Sequence, residues 1–126
     1  MATILLVDDD AGFLTALERL LVQDGHRTRR AADHAAALAE AGAATDPVDL
    51  VIVDLELCQQ SGLELLRQLR RRDPNLPLIL LSAAPDAASY LEALRLGVYE
   101  YLTKPLDFAE LRQVVHRALS PVGRVA

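Results

Sequence analysis

Residues 51–62 read VIVDLELCQQSG, an apolar run that stops at one carboxylate, Asp54, and then passes through a polar stretch to Gly62. With Leu50 in front, the run LVIV (Leu50–Val53) offers no polar face to water. A short continuous apolar segment of this kind reads as a strand buried on both sides, the mark of a parallel sheet covered by helices. TILLV (Thr3–Val7) and LILL (Leu78–Leu81) repeat the pattern. Between these runs lie stripes of helical period. Phe13, Leu14, Leu17, Leu20 and Leu21 predict a first helix ended by Gly25, and His34 to Ala43 predicts a second, with Ala35, Leu38 and Ala39 inward. Leu63, Leu66 and Leu69 predict a third that stops at Asp73-Pro74, because the residue before a proline disfavours helix. Ala87 to Leu96 predicts a fourth, ending at Gly97. The fifth opens on Asp107 and Glu110, a capping-box-like pair, and carries Phe108, Leu111, Val114, Val115 and Leu119.

Two segments of mixed polarity, RTRRA (Arg27–Ala31) and YEYLT (Tyr99–Thr103), suit the edges of a sheet. The order is β-α repeated five times, which implies an α/β fold with a parallel sheet, right-handed crossovers and helices on both faces. For five such units the common strand order is 2-1-3-4-5, the flavodoxin-like arrangement. Residues 1–120 form one expected domain, with 121–126 a tail or linker stub.

The composition narrows the function. At 126 residues the chain suffices for one core that buries roughly two-thirds of the unfolded surface. Its 18 acids against 13 bases give a net charge of -5, which argues against direct binding of nucleic acid by this domain. Charges interrupt every apolar stretch well before a membrane span is reached. Cys58 is the single cysteine, and the start MATILLVDDD has neither the charged nor the long apolar region of a signal peptide, so a reducing, cytoplasmic setting is expected.

In open parallel sheets, ligands bind beyond the carboxyl ends of the strands where the strand order reverses, here between strands one and three. Asp8 and Asp9 directly follow strand one, and Asp54 directly follows the apolar run of strand three. Three carboxylates in one crevice repel one another and raise each other's pKa unless a cation joins them. Hard oxygen donors of this kind suit Mg²⁺. Ser82 ends strand four with a hydroxyl, and Lys104 follows strand five with a compact ammonium. Acids for a metal, one acid as nucleophile, a hydroxyl and a lysine make a phosphoryl-transfer set.

These residues resemble the receiver domains of bacterial two-component response regulators. The resemblance runs from ILLVDDD at Ile4 through DLELCQQSG at Asp54 and LLSA at Leu80 to YLTKP at Tyr101. Each motif alone is common; four of them in this order at successive strand ends are specific. The resemblance implies that Asp54 is the phospho-acceptor and that Asp8, Asp9 and Asp54 hold Mg²⁺ with the backbone carbonyl of Glu56. It also implies that Lys104 pairs with the phosphoryl group, that Ser82 and Tyr101 are the switch pair, and that the Lys104-Pro105 bond is cis. The implied chemistry is attack by Asp54 on the phosphohistidine of a sensor histidine kinase or phosphotransfer protein, or on a small donor such as acetyl phosphate. The surface of helix four, strand five and helix five would then change for an output domain or downstream protein. The protein would be a signalling switch rather than an enzyme with an external substrate, and a monomer or a phosphorylation-dependent dimer. It would be either a stand-alone regulator or the receiver portion of a longer chain.

Simpler readings stand beside these. Asp10 caps or flanks the first helix, and Tyr101 reads equally as a half-buried strand residue. Tyr90 and Tyr99 read as partly exposed surface on the output side. His26, His34 and His116 lack metal-ligand spacing and read as solvated, as does the helix end Arg70, Arg71 and Arg72. The chain departs from the family at Leu57 and Cys58, where Met-Pro is usual; losing the proline frees the loop and adds an N–H. Glu56, two residues past Asp54, and Ala84, two past Ser82, are expected to set the rate of dephosphorylation. Two other functions fit parts of the pattern. A haloacid-dehalogenase-type aspartyl-phosphate hydrolase would use the second acid of VDLEL, although that family usually has Asp where Glu56 stands and Thr where Cys58 stands. A receiver-like docking module would never be phosphorylated.

Overall fold

The computed structural model describes residues 2–42, 46–56 and 62–120. The departures at Leu57 and Cys58, Ala43 at the expected end of the second helix, and the tail 121–126 lie outside these residues. The elements are β1 (Thr3–Val7), α1 (Ala11–Gln23), β2 (Arg27–Ala31), α2 (His34–Ala41), β3 (Leu50–Asp54), α3 (Gly62–Arg72), β4 (Leu78–Ser82), α4 (Ala87–Arg95), β5 (Glu100–Thr103) and α5 (Phe108–Leu119). All strand pairs are parallel, in the order β2-β1-β3-β4-β5.

Alternation along the three central strands sends successive side chains to opposite faces and builds two cores. Ile4, Leu6, Leu50, Ile52, Ile79 and Leu81 pack against Leu14, Leu17 and Leu21 of α1 and Leu111, Val114, Val115 and Ala118 of α5. Leu5, Val7, Val51, Val53, Leu78 and Leu80 pack against Ala37 of α2, Leu65, Leu66 and Leu69 of α3 and Ala93 of α4. The polar strands β2 and β5 take the edges, where one side faces solvent.

Local chemistry sets the helix ends. Asp10, Asp33, Asp86 and Asp107 are N-caps whose carboxylates accept backbone N–H groups of the first turn. Gly25 and Gly97 follow α1 and α4 with φ of 89° and 68°, a left-handed conformation that costs glycine little. In α2 the inward residue is Ala37, with Ala36, Leu38 and Ala41 packed beside it; Ala35 and Ala39 face solvent, contrary to expectation. Among the described residues, no helix is long and apolar enough to cross a membrane.

Candidate functional site

The register of the sheet brings the acids together. Val7 of β1 pairs with Val53 of β3, so Asp8 and Asp54, each the next residue, sit side by side where the strand order reverses. Both are buried, at 2% and 5% exposure, while Asp9 is exposed at the rim. One carboxylate oxygen from each of Asp8, Asp9 and Asp54 lies within 4.8 Å of the others. Lys104 Nζ reaches in from the end of β5, 3.1 Å from Asp8 Oδ2 and 3.4 Å from Asp54 Oδ2, and rests 4.5 Å from the centre of the Phe13 ring. The Lys104–Pro105 peptide bond is cis.

Two buried carboxylates share one ammonium, and the electrostatics follow. Burial first, then the neighbouring Asp8, pushes Asp54 up to about 6, against the opposing pull of the Glu56 N–H and Lys104. Burial would lower the Lys104 ammonium, but the hydrogen bond to Asp8 and the charges of Asp54 and Asp8 outweigh it and hold its pKa above the usual lysine value. The cluster therefore has more negative charge than its own lysine offsets. Three hard oxygen donors in that condition fit a small divalent cation.

The β4 side of the crevice holds the hydroxyl. Asp54 pairs with Leu81, so Ser82 and Ala83 come next beside it. Ser82 is fully buried; its Oγ accepts from the Ala84 N–H at 3.1 Å and donates to Glu56 Oε2 at 2.8 Å. Glu56 Oε1 accepts from the Ala83 N–H at 2.7 Å, and the Glu56 N–H donates to Asp54 Oδ1 at 3.1 Å. Farther along β5, Tyr101 is half-buried. Its hydroxyl lies 3.0 Å from Ser89 Oγ, which also belongs to the capping box of α4, and its ring is tilted against Tyr90 at 5.8 Å.

Comparison with known proteins shows the family of the chain. A family model for the response regulator receiver domain matches residues 4–116. The chain belongs to that family. The receiver is 35% identical over 119 residues to the DNA-binding transcriptional regulator NtrC of Azospirillum brasilense, covering 94% of this chain and 24% of that protein. It thus spans about a quarter of the length of such curated relatives. A CheY-like receiver domain from Methanospirillum hungatei shares the fold with a TM-score of 0.89 over 94% of both chains at 24% identity. A response regulator from Burkholderia pseudomallei, solved with a phosphorylated aspartic acid, calcium ion and citrate, matches at 29% identity and a TM-score of 0.84, covering 97% of this chain and 71% of that one. This protein is accordingly a receiver domain of a two-component response regulator, a signalling module, and the hydrolase reading of VDLEL is set aside.

Several contacts of the receiver escape a sequence reading. Arg70 is not a solvated helix end. Its guanidinium donates to the carbonyls of Leu96 and Gly97 after α4 and of Asp73, Pro74 and Leu76 after α3. Arg72 donates to the Leu38 carbonyl of α2. His26 and His34 are half-buried, and each has one ring nitrogen out of solvent without a hydrogen-bond partner among the described residues. The side chain of Glu56 and the hydroxyl of Ser89 also sit at the centre of contacts that no local motif signals.

Proposed function

We propose that Asp54 is the phospho-acceptor of this receiver, taking the phosphoryl group from the phosphohistidine of a histidine kinase or phosphotransfer protein. The observation that supports this most is the buried Asp54 carboxylate beside Asp8, Asp9 and Lys104 at the point where the sheet reverses its order. One Asp54 oxygen would attack phosphorus in line while the P–N bond breaks, and the departing imidazole would keep the bonding pair and take up a proton. The Asp8, Asp9 and Asp54 carboxylates and the Glu56 backbone carbonyl would hold Mg²⁺, which when bound supplies positive charge against the phosphoryl oxygens and the acids. Lys104, already charged and held between two carboxylates, would shift one partner to a phosphoryl oxygen.

The phosphoryl group adds about 1.5 to 2 negative charges at the end of β3. Ser82 Oγ would turn to it as a donor, and Tyr101, tied to α4 through Ser89, would change its packing. The readout face is then α4, β5 and α5, where Tyr90, Leu91 and Leu94 are each half exposed. An apolar surface of that kind suits an output domain or downstream protein. Glu56, two residues past Asp54, and Ala84, two past Ser82, would tune the lifetime of the phosphoryl group. Residues 1–120 would act as the receiver, with 121–126 as a tail or linker stub.

The test is incubation with acetyl phosphate and Mg²⁺ followed by intact mass measurement. Wild type should gain a single phosphoryl adduct and Asp54→Asn none. An adduct that survives the substitution, or no adduct on wild type, would sink the proposal.

A further inference from the structure

The Glu56 carboxylate spends both oxygens on the end of β4. Oε2 accepts the Ser82 hydroxyl and Oε1 accepts the Ala83 N–H, at 2.8 Å and 2.7 Å. Ser82 Oγ already accepts from Ala84 N–H, and Ser82 has no exposure to water, so its one proton goes to Glu56. These two donors follow directly after Leu81, the strand partner of Asp54, and so border the acceptor carboxylate. The same residue also holds that carboxylate through its backbone N–H, which donates to Asp54 Oδ1. An anionic group with two oxygens that takes one hydroxyl and one backbone N–H has the hydrogen-bonding character of a phosphoryl group.

Resting on the reading of Asp54 as phospho-acceptor, we infer that Glu56 is a latch: its carboxylate is an internal stand-in for the phosphoryl group, holding Ser82 and Ala83 in the unphosphorylated receiver until phosphoryl oxygens displace it. Like charge adds to the exchange, because a phosphoryl group on Asp54 repels the Glu56 carboxylate from the donors it leaves. Release of Ala83 also frees the segment leading to Asp86 and Ser89, the N-terminal cap of α4, to which the Tyr101 hydroxyl is bonded. Glu56 thereby sets how much of the phosphoryl binding is used up in opening the switch. A latch favouring the closed arrangement tenfold weakens the apparent affinity for a phosphoryl analogue by about the same factor.

Two measurements on the whole chain test this. In a chelating buffer, amide hydrogen exchange at Ala83 should be about ten-fold faster in Glu56→Ala than in wild type, the scale of a lost charge-assisted hydrogen bond. At saturating Mg²⁺, beryllofluoride should bind Glu56→Ala about ten-fold more tightly. Glu56→Gln, which keeps one neutral acceptor oxygen, should fall between the two in both measurements. Unchanged exchange at Ala83, or beryllofluoride binding that is unchanged or weaker in Glu56→Ala, overturns the latch. A different result would identify the other failure: wild type that takes no beryllofluoride while exchange still differs refutes the phospho-acceptor reading, and the latch with it.

Discussion

Asp54→Asn should stabilise the metal-free receiver at about pH 7.5, and the gain should shrink as the pH falls toward 4. The wild-type fold sets Asp8 and Asp54 side by side with one lysine between them, and Asp54 is raised from 3.8 to about 6 by burial and by Asp8. A carboxyl whose pKa is higher in the folded state binds its proton more tightly there than in the unfolded chain. Stability is therefore greatest when Asp54 is protonated, falls as the pH rises from about 4 to about 6, and stays at the lower level above that. About two pKa units at 1.36 kcal/mol each give ~3 kcal/mol as a ceiling. The value of about 6 already includes the pull of Lys104, and the opening of the crevice to solvent at Asp9 screens part of the cost, so roughly 1–2 kcal/mol is the expected gain.

The assay is urea unfolding of wild type and variant in a chelating buffer at several pH values, compared as a difference so that the other titrating acids cancel. Expected is a variant more stable at about pH 7.5 and nearly equal to wild type at about pH 4. A difference that does not vary with pH, or a variant less stable at neutral pH, would refute the account of Asp54 as a carboxylate the fold holds at a cost.

Three further outcomes follow from the same contacts. Saturating Mg²⁺ should raise the unfolding free energy of wild type by RT ln(1 + [Mg²⁺]/Kd), read as a higher urea midpoint, and Asp8→Asn should lose most of that rise; an undiminished rise would place the ion elsewhere. Arg70→Ala should cost about 2–3 kcal/mol, since the carbonyls after α3 and α4 lose their shared donor, and Arg70→Lys should recover less than half because an ammonium lacks the fork that spans them; urea unfolding of both variants checks it. Gly62→Ala should cost about 1–3 kcal/mol by the same measurement and slow labelling by acetyl phosphate. A Cβ there would come within 2.8 Å of the Asp54 carbonyl oxygen and of Leu55 Cα, both backbone atoms, so the strand end that carries Asp54 must move.

The central strands were legible because a segment buried on both faces must be apolar throughout, and LVIV, TILLV and LILL are; their order came instead from the arrangement common to five β-α units. The positions of Asp8, Asp54, Ser82 and Lys104 could be anticipated for a related reason: each stands at a strand's carboxyl end, so topology alone brings them to one edge. The inward face of α2 could not be read, since HAAALAEA offers alanine on every side and no contrast to orient it. Arg70 misled for a different cause. Three arginines in a last turn look solvated, and the carbonyls that Arg70 binds at Leu96 and Gly97 come from 26 and 27 residues away. The Glu56 contact with Ser82 likewise spans 26 residues, and a hydropathy pattern holds no trace of a polar pair.

The resting site is not a set of empty valences. Lys104 partly offsets the charge of Asp8 and Asp54, and Glu56 occupies the hydroxyl and N–H at the end of β4. Cation binding and phosphorylation would therefore exchange partners rather than supply missing ones, and the free energy available to move α4 and β5 would be the difference between the new contacts and those given up. Differences of this kind usually amount to about 1–3 kcal/mol between coupled sites. A switch so balanced responds to changes at its resting contacts as much as to its active ones. Substitution at Glu56 should shift the equilibrium toward the active arrangement even where Asp54 carries nothing, whereas substitution at Lys104 should remove a stabilising charge from both states.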